Sequence, residues 1–253
     1  MNSSPSPSHF KGKTAQEHLK KARMKGMIAS SEIHGIEMSG SQAAFADSLK
    51  DTALALLALW SMSISLFDKS VIHVIMILFS ISWIIWKPAR SAILGWGRLE
   101  RLHRLIEEER WEIEHNREQE RLELTEMYQA KGFSGRLLEE SVDVLMSDDN
   151  RLLQVMLEEE LGLTLEVHEH PLKQAFAAFL GSSTSTGLIL LSALFLPKLL
   201  TPAIGFLLVS LSSILTARLE RNKKTSGLIW NLSSAAFVVA STYLLGNLFS
   251  KLQ

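Results

Sequence analysis

Cysteine is absent from the 253-residue chain, so disulfides, thiolate zinc sites and iron–sulfur clusters are excluded. Carboxylate, imidazole and thioether groups remain as side-chain ligands, so any metal would be bound mainly by oxygen. Acidic residues are scarce over most of the chain, because 20 of the 27 Asp and Glu residues fall between Glu100 and Glu169. The sequence therefore joins an acidic central segment to flanks that carry few charges.

Nucleotide-binding and hydrolase motifs are also missing. The chain has no GxxxxGK loop, no dinucleotide-binding glycine pattern and no nucleophile elbow. We therefore expect neither an enzyme nor a nucleic-acid-binding protein. The first 13 residues are rich in Ser and Pro with no apolar run behind them, which predicts a disordered tail rather than a cleaved signal peptide. Residues 1–42 are interpreted as this tail and an amphipathic lead-in.

Long apolar segments predict five transmembrane helices. The first two form a hairpin, Thr52–Phe67 and Val71–Trp86, which we extend upstream to about Ala43 and downstream past Pro88, because a span needs roughly 20 residues. A buried globular hairpin is the alternative for this pair. The remaining segments are Leu172–Leu196, about Leu199–Ala217, and Ser226–Phe249.

Basic residues predict the orientation, because Lys and Arg gather in cytoplasmic loops next to membrane spans. They form three clusters: Lys20, Lys21, Arg23 and Lys25; then Lys87, Arg90, Arg98, Arg101 and Arg104; then Arg218, Arg221, Lys223 and Lys224. This alternation predicts a multi-pass membrane protein with a cytoplasmic N-terminus, a cytoplasmic acidic domain and an external C-terminus. A bacterial inner membrane and an organelle membrane fit equally well.

The acidic segment itself predicts three helices. Residues 98–130 contain no Pro or Gly, which favours one helix of roughly 50 Å. A second helix is expected from Ser134 or Gly135 to Met146, and a third from an N-cap at Ser147 or Asp148 to Leu161. The predicted fold is all-α. A five-helix transmembrane domain, residues 43–97 and 171–253, carries an inserted cytoplasmic three-helix metal-binding domain, residues 98–170.

The first of these helices carries a stripe of oxygen ligands. At about 100° per residue, five side chains fall within roughly 80° of one another: Glu109, Glu112, Asn116, Glu120 and Glu123. Like charges three or four residues apart destabilise a helix by about 0.2–0.5 kcal/mol each, and a hard divalent cation would cancel that repulsion. A solvated charged helix is the alternative interpretation.

Further ligands are expected on the third helix, where Met156 and Glu160 share one face. A thioether among carboxylates suits iron(II) or manganese(II) better than calcium, although a lone Met at this spacing is more often a core residue. Glu112 and His115 form one Glu-x-x-His element of the kind that di-iron bundles use twice. Since a second copy is missing, a ferritin-like centre is a weaker alternative.

The segment from Arg117 to Leu163 resembles the cytoplasmic metal-binding domain of the vacuolar iron transporter (VIT) family, including a Tyr-x-x-Lys-Gly turn and a Glu-Leu-Gly ending. The similarity extends into HPLKQAFAAFLGS at residues 170–182 and STYLLGNLF at residues 241–249. It implies five transmembrane helices, a homodimer in the lipid bilayer, and proton-coupled export of Fe2+, or Mn2+, from the cytosol. The ligands it implies are Glu109, Glu112, Glu120, Glu123, Met156 and Glu160.

The chain departs from the family pattern at two places. Leu157 stands where the family often has a second Met. The acidic motifs of the first two family helices are missing, and Lys87 and Arg90 lie where a carboxylate is expected. Asp47 and Asp51 lie near the first motif and are the candidates for the translocation path.

Three hypotheses follow from these observations. The first is a divalent metal ion transporter in which the cytoplasmic glutamates capture the ion. The second is a membrane-anchored metal sensor or buffer that has lost translocation, and the third is a structural protein without a metal function.

Overall fold

The computed structural model describes residues 40–163, 169–220 and 222–252. Every regular element within these ranges is helical. The predicted tail, the basic cluster Lys20–Lys25 and Arg221 lie outside the described residues.

The described helices follow the chain in the order of the predicted segments. We number them α1 (Ser41–Ser63), α2 (Lys69–His115), α3 (Arg117–Ala130), α4 (Gly135–Met146), α5 (Asp149–Val155), α6 (Pro171–Phe195), α7 (Leu200–Leu219) and α8 (Lys224–Ser250). A π-helical turn, Met156–Glu160, continues α5. As predicted, α2 runs through Pro88, and the hairpin turn lies between α1 and α2.

The chain divides into two compact units. The first, here the acidic unit, comprises the described residues 96–163. The second, here the apolar unit, comprises the described residues 40–95, 169–220 and 222–252. Each unit has its own core of buried apolar side chains.

Helix α1 is the most enclosed element of the apolar unit. Ala46, Ala53, Leu56 and Leu57 on this helix have no exposed surface. Neighbouring helices approach its backbone closely through small residues: a Cβ added at Gly181 of α6 would lie 2.4 Å from the carbonyl oxygen of Phe45. In addition, the Ser185 hydroxyl donates to the Leu49 carbonyl at 2.6 Å, and the Ser212 hydroxyl to the Ala46 carbonyl at 2.5 Å. Hydroxyl groups therefore bond α6 and α7 directly to the α1 backbone.

Four described helices, α2, α6, α7 and α8, are long and apolar enough to cross a membrane. The chain is therefore an integral membrane protein. Helix α1, the predicted first span, is not among the four. Any stretch of α1 long enough to span contains Asp47, Lys50 and Asp51, and these charges set it apart from the other predicted spans.

The acidic unit packs around an apolar core built by all its helices. Leu102, Leu124, Leu152 and Met156 are among the buried members. As predicted, α4 begins at Gly135, and Asp148 is the N-cap of α5, because its carboxylate accepts from the backbone N–H of Arg151 at 2.8 Å. Gly162, with a φ of 66°, follows the π-helical turn in the left-handed region that glycine adopts readily.

The long helix predicted over residues 98–130 is interrupted. Helix α2 ends at His115, Asn116 adopts φ −130° and ψ 38°, and α3 begins at Arg117. The absence of Pro and Gly therefore did not ensure continuity. Asn is a weak helix former, and packing against the rest of the unit outweighs the small local preference.

Candidate metal centre

Three of the predicted ligands meet inside the acidic unit. Glu109, Glu120 and Glu160 each offer a carboxylate oxygen, and these oxygens lie within 4.8 Å of one another. The three side chains are 4%, 0% and 1% exposed, so the cluster is buried rather than spread over a solvated surface. These distances allow one cation to contact all three carboxylates.

The interruption at Asn116 explains how two of them meet. Glu109 and Glu120 are 11 residues apart, which in a straight helix separates them by roughly 16 Å along the axis. The interruption at Asn116 therefore allows their carboxylates to lie together, which a straight helix would not. The oxygen-bearing stripe is therefore a convergent cluster, not the extended row that an unbroken helix would present.

The π-helical turn supplies the third carboxylate. The backbone N–H of Leu161 donates to the carbonyl of Met156 at 3.2 Å, which closes the wide turn and leaves Glu160 buried. Turns of this kind occur frequently at functional sites. Met156 is fully buried in the apolar core of the unit, and its role as a ligand stays a prediction.

The remaining two predicted glutamates are buried near the cluster. Glu112 is 6% exposed and Glu123 has no exposed surface. The amide of Gln119 donates to the Glu123 carboxylate at 2.7 Å, which fixes that side chain along α3. The arginines of α3 are engaged elsewhere, because Arg117 pairs with Asp149 at 2.5 Å and Arg121 pairs with Asp143.

The electrostatics of the cluster oppose ionisation of Glu109. Glu109 lies beyond the apolar part of α2, in the acidic unit. Burial raises its pKa well above the ordinary range, and the negative charges of the other four glutamates raise it further. Its Oε1 atom is buried and accepts no hydrogen bond from any residue that the structure describes. Such a group is stabilised either by a proton or by a bound cation.

The two candidates for the translocation path, Asp47 and Asp51, belong to the apolar unit. Asp51 Oδ2 lies 2.6 Å from the Lys87 ammonium, and Asp47 Oδ2 lies 3.7 Å from the same nitrogen. Lys50 lies 3.7 Å from the other oxygen of Asp47. Lys87 is only 5% exposed, so a lysine occupies the position that these carboxylates face.

Sequence reasoning noted Lys87 but missed this pairing. A usable signal was the hairpin itself, because Asp51 lies 17 residues before Asp68 in the turn and Lys87 lies 19 residues after it. Residues at similar distances from a tight helical turn lie side by side in the two antiparallel helices. The interruption at Asn116 had no comparable signal in the sequence.

Comparison with protein families gives one finding that covers both units. Residues 98–247, more than half of the chain, match the model of the VIT family. A comparison with curated proteins gives no match. The matched range includes the five glutamates and Met156, together with helices α6 and α7 and most of α8.

Proposed function

The chain belongs to the VIT family, and we propose that it is a divalent metal ion transporter that moves iron(II), or manganese(II), out of the cytosol in exchange for protons. The observation that carries the proposal is the buried convergence of Glu109, Glu120 and Glu160. In this function the cluster captures the ion before it enters the membrane.

The chemistry of the cluster supports a divalent cation as cargo. Buried carboxylates this close repel one another, and a cation with two charges removes that repulsion while accepting several oxygen ligands. Glu112 and Glu123 extend the ligand set to five carboxylates. Met156 would add a soft thioether, which favours iron(II) and manganese(II) over calcium.

The packing of α1 supports a fifth span. A helix that other helices enclose needs less apolar surface towards lipid than a peripheral one. The charges that set α1 apart are also paired within the unit, since Asp51 lies 2.6 Å from Lys87. We therefore propose five spans, with the N-terminus and the acidic unit in the cytosol.

A homodimer forms part of the proposal and is implied by the resemblance. Helix α8 offers a surface for it, because large apolar side chains cover the helix and very little of it is buried in one chain. Trp230, Phe237 and Leu244 are examples, with exposures of 74%, 74% and 66%. Lipid and a second copy of the chain are the two partners that such a surface accepts.

Flux into proteoliposomes tests the proposal. Purified protein is reconstituted with a pH gradient, and iron(II) entry is followed with an internal chelating dye. We expect flux in the wild type and a large decrease in the double variant Glu120→Gln/Glu160→Gln. Glu139→Gln, which removes an exposed carboxylate of α4, is the matched control and should carry wild-type flux. Equal flux in the double variant would refute capture by the cluster.

A membrane-anchored metal sensor or buffer is the second candidate function. The observation that favours it is the Lys87 ammonium beside Asp47 and Asp51, because a fixed positive charge opposes a cation at the proposed path. This function predicts stoichiometric binding of metal by the full chain with no flux under any gradient. Measured flux above that of protein-free vesicles would exclude it.

A further inference from the structure

We propose that Lys87 is a resident cation that prevents a divalent ion from binding to Asp47 and Asp51 in the apolar unit. The inference goes beyond the proposed function, which rests on the acidic unit, because it concerns whether Asp47 and Asp51 can bind an ion at all. Its test measures binding, so its outcome does not depend on flux.

The Lys87 ammonium is close to both carboxylates. The Lys87 ammonium lies 2.6 Å from Asp51 and 3.7 Å from Asp47, so it contacts both carboxylates from α2 while both project from α1. A divalent ion bridging the two carboxylates would need the space between them. The ammonium already fills that space, and the two cations cannot occupy it together.

The Lys87 side chain is also more buried than either carboxylate. Lys87 is 5% exposed, whereas Asp47 and Asp51 are 26% and 39% exposed. The carboxylates can be reached, but the ammonium that neutralises them is held inside the unit. A charged lysine in such a position is retained only with a close partner, and here it has two.

The charges around Asp47 and Asp51 are already balanced by residues of the chain. Lys50 lies 3.7 Å from Asp47, so two carboxylates face two ammonium groups and the group is neutral. A neutral group offers no net attraction for a divalent cation. Removing the Lys87 charge leaves one net negative charge with two carboxylates able to act as ligands, and one or two carboxylates are enough to hold a divalent ion that keeps several waters.

Neighbouring contacts fix the arrangement. The Trp83 indole N–H, one turn before Lys87 on α2, donates to the Thr52 hydroxyl at 3.0 Å. Thr52 follows Asp51 directly on α1. This hydrogen bond holds the two helices in register at the ion pair, so substituting Lys87 should change the charge of the group without moving its carboxylates.

The test is Mn2+ binding to the full chain in detergent, followed by electron paramagnetic resonance, in which bound Mn2+ leaves the free-ion signal. All variants carry Glu120→Gln/Glu160→Gln, which weakens binding by the acidic unit equally in each of them. The comparison between variants therefore reports on the apolar unit, and a failure of the proposed function leaves it unaffected. We expect Lys87→Met to bind one more Mn2+ per chain than the parent does, with an affinity at least about tenfold higher than any binding by the parent at Asp47 and Asp51, because one opposing charge is gone. Lys87→Arg keeps the charge and should show no gain.

Two further variants make the result decisive. Lys87→Met/Asp51→Asn removes a ligand and should lose the gain, which assigns the new site to this pair. Lys87→Gln is the second neutral variant if Lys87→Met does not fold, as judged by size-exclusion chromatography. No added Mn2+ in a folded neutral variant would overturn the proposal. So would the failure of both neutral variants to fold while Lys87→Arg folds, because Lys87 would then serve stability alone.

Discussion

In the acidic unit, carboxylate oxygens of Glu109, Glu120 and Glu160 lie within 4.8 Å of one another, and burial raises the pKa of Glu109. In the apolar unit, Asp51 and Asp47 instead lie 2.6 Å and 3.7 Å from the ammonium of Lys87. In the first group, carboxylates from separate helical segments meet, and in the second, two carboxylates of α1 meet a lysine of α2. The two groups differ in what balances their negative charge, because a lysine of the chain itself supplies the positive charge in the second group.

The difference bears on which group can exchange ions. A carboxylate cluster whose charge is relieved by protons or by a cation from solution responds to both. A cluster neutralised by a covalently attached ammonium responds only if that ammonium moves away. The same side-chain chemistry therefore supports reversible capture in the acidic unit and opposes it in the apolar unit.

The largest expected effect comes from removing carboxylates from the cluster in the acidic unit. Glu120→Gln/Glu160→Gln removes two charged ligands, and the affinity of a carboxylate site for a divalent ion depends strongly on how many charged ligands it has. We expect Mn2+ or iron(II) to bind the full chain at least about 100-fold more weakly, measured by calorimetry in detergent. Glu139→Gln should bind like the wild type. A double variant with unchanged affinity would remove the acidic cluster as the capture site.

The next largest effect is expected from removing the ion pair between Asp51 and Lys87 in the apolar unit. Asp51→Asn takes the nearest counter-charge from Lys87, which is 5% exposed. Removing one partner of a buried ion pair is strongly destabilising, but Asp51 is 39% exposed, so we expect a loss of about 1–3 kcal/mol. Thermal unfolding in detergent would show the lower midpoint. Asp51→Asn/Lys87→Gln should recover part of the loss, and a double variant no better than the single would argue against the pairing.

The pH dependence of stability sharpens the comparison. The folded-state pKa of Glu109 is raised above its ordinary value of 4.5, so the folded state holds this proton more tightly than the unfolded state. That stabilisation is complete below about pH 4.5 and is lost as the pH rises through the raised pKa. With a chelator present, the unfolding midpoint should therefore fall with rising pH over this window.

Glu109→Gln and added Mn2+ test separately whether Glu109 governs this pH dependence. The variant cannot ionise at this position, so its midpoint should fall less steeply as the pH rises than that of the wild type. In the wild type, Mn2+ should raise the unfolding midpoint again at the upper end of the window. A concentration of 100 times Kd adds about 2.7 kcal/mol to the free energy of unfolding. Identical pH profiles for Glu109→Gln and wild type would show that another group governs the dependence.

Much of this organisation followed from the sequence, because it rested on long-range patterns. The segregation of charge and apolar runs predicted an all-helical membrane protein, and the resemblance to the VIT family over the acidic segment is confirmed by the family match. Helix ends at Gly135 and Asp148 followed from local capping chemistry. The roles of the six predicted ligands stay predictions, although five of them are carboxylates buried close together.

The features that escaped prediction depend on tertiary contacts. Spacing on an ideal helix placed Glu109 and Glu120 on one face but gave no reason for α2 to end at His115. Likewise, the charge of Lys87 was visible as a departure from the family pattern, but its partner on α1 depended on the register of the hairpin. Sequence periodicity describes one helix at a time, and both features arise between helices.

The smallest expected effect comes from straightening the interruption at Asn116. Asn116→Ala favours continuous helix by about 0.7 kcal/mol at most, which corresponds to roughly a threefold change in an equilibrium. An unbroken helix would separate Glu109 from Glu120. We therefore expect Mn2+ to bind about two- to threefold more weakly, since the threefold change is the most that the helix preference can produce. Asn116→Gly opposes helix and should bind like the wild type, and Gln129→Ala, an exposed site at the end of α3, controls for added helix propensity. Tighter binding by Asn116→Ala would mean that the interruption strains the cluster instead of assembling it.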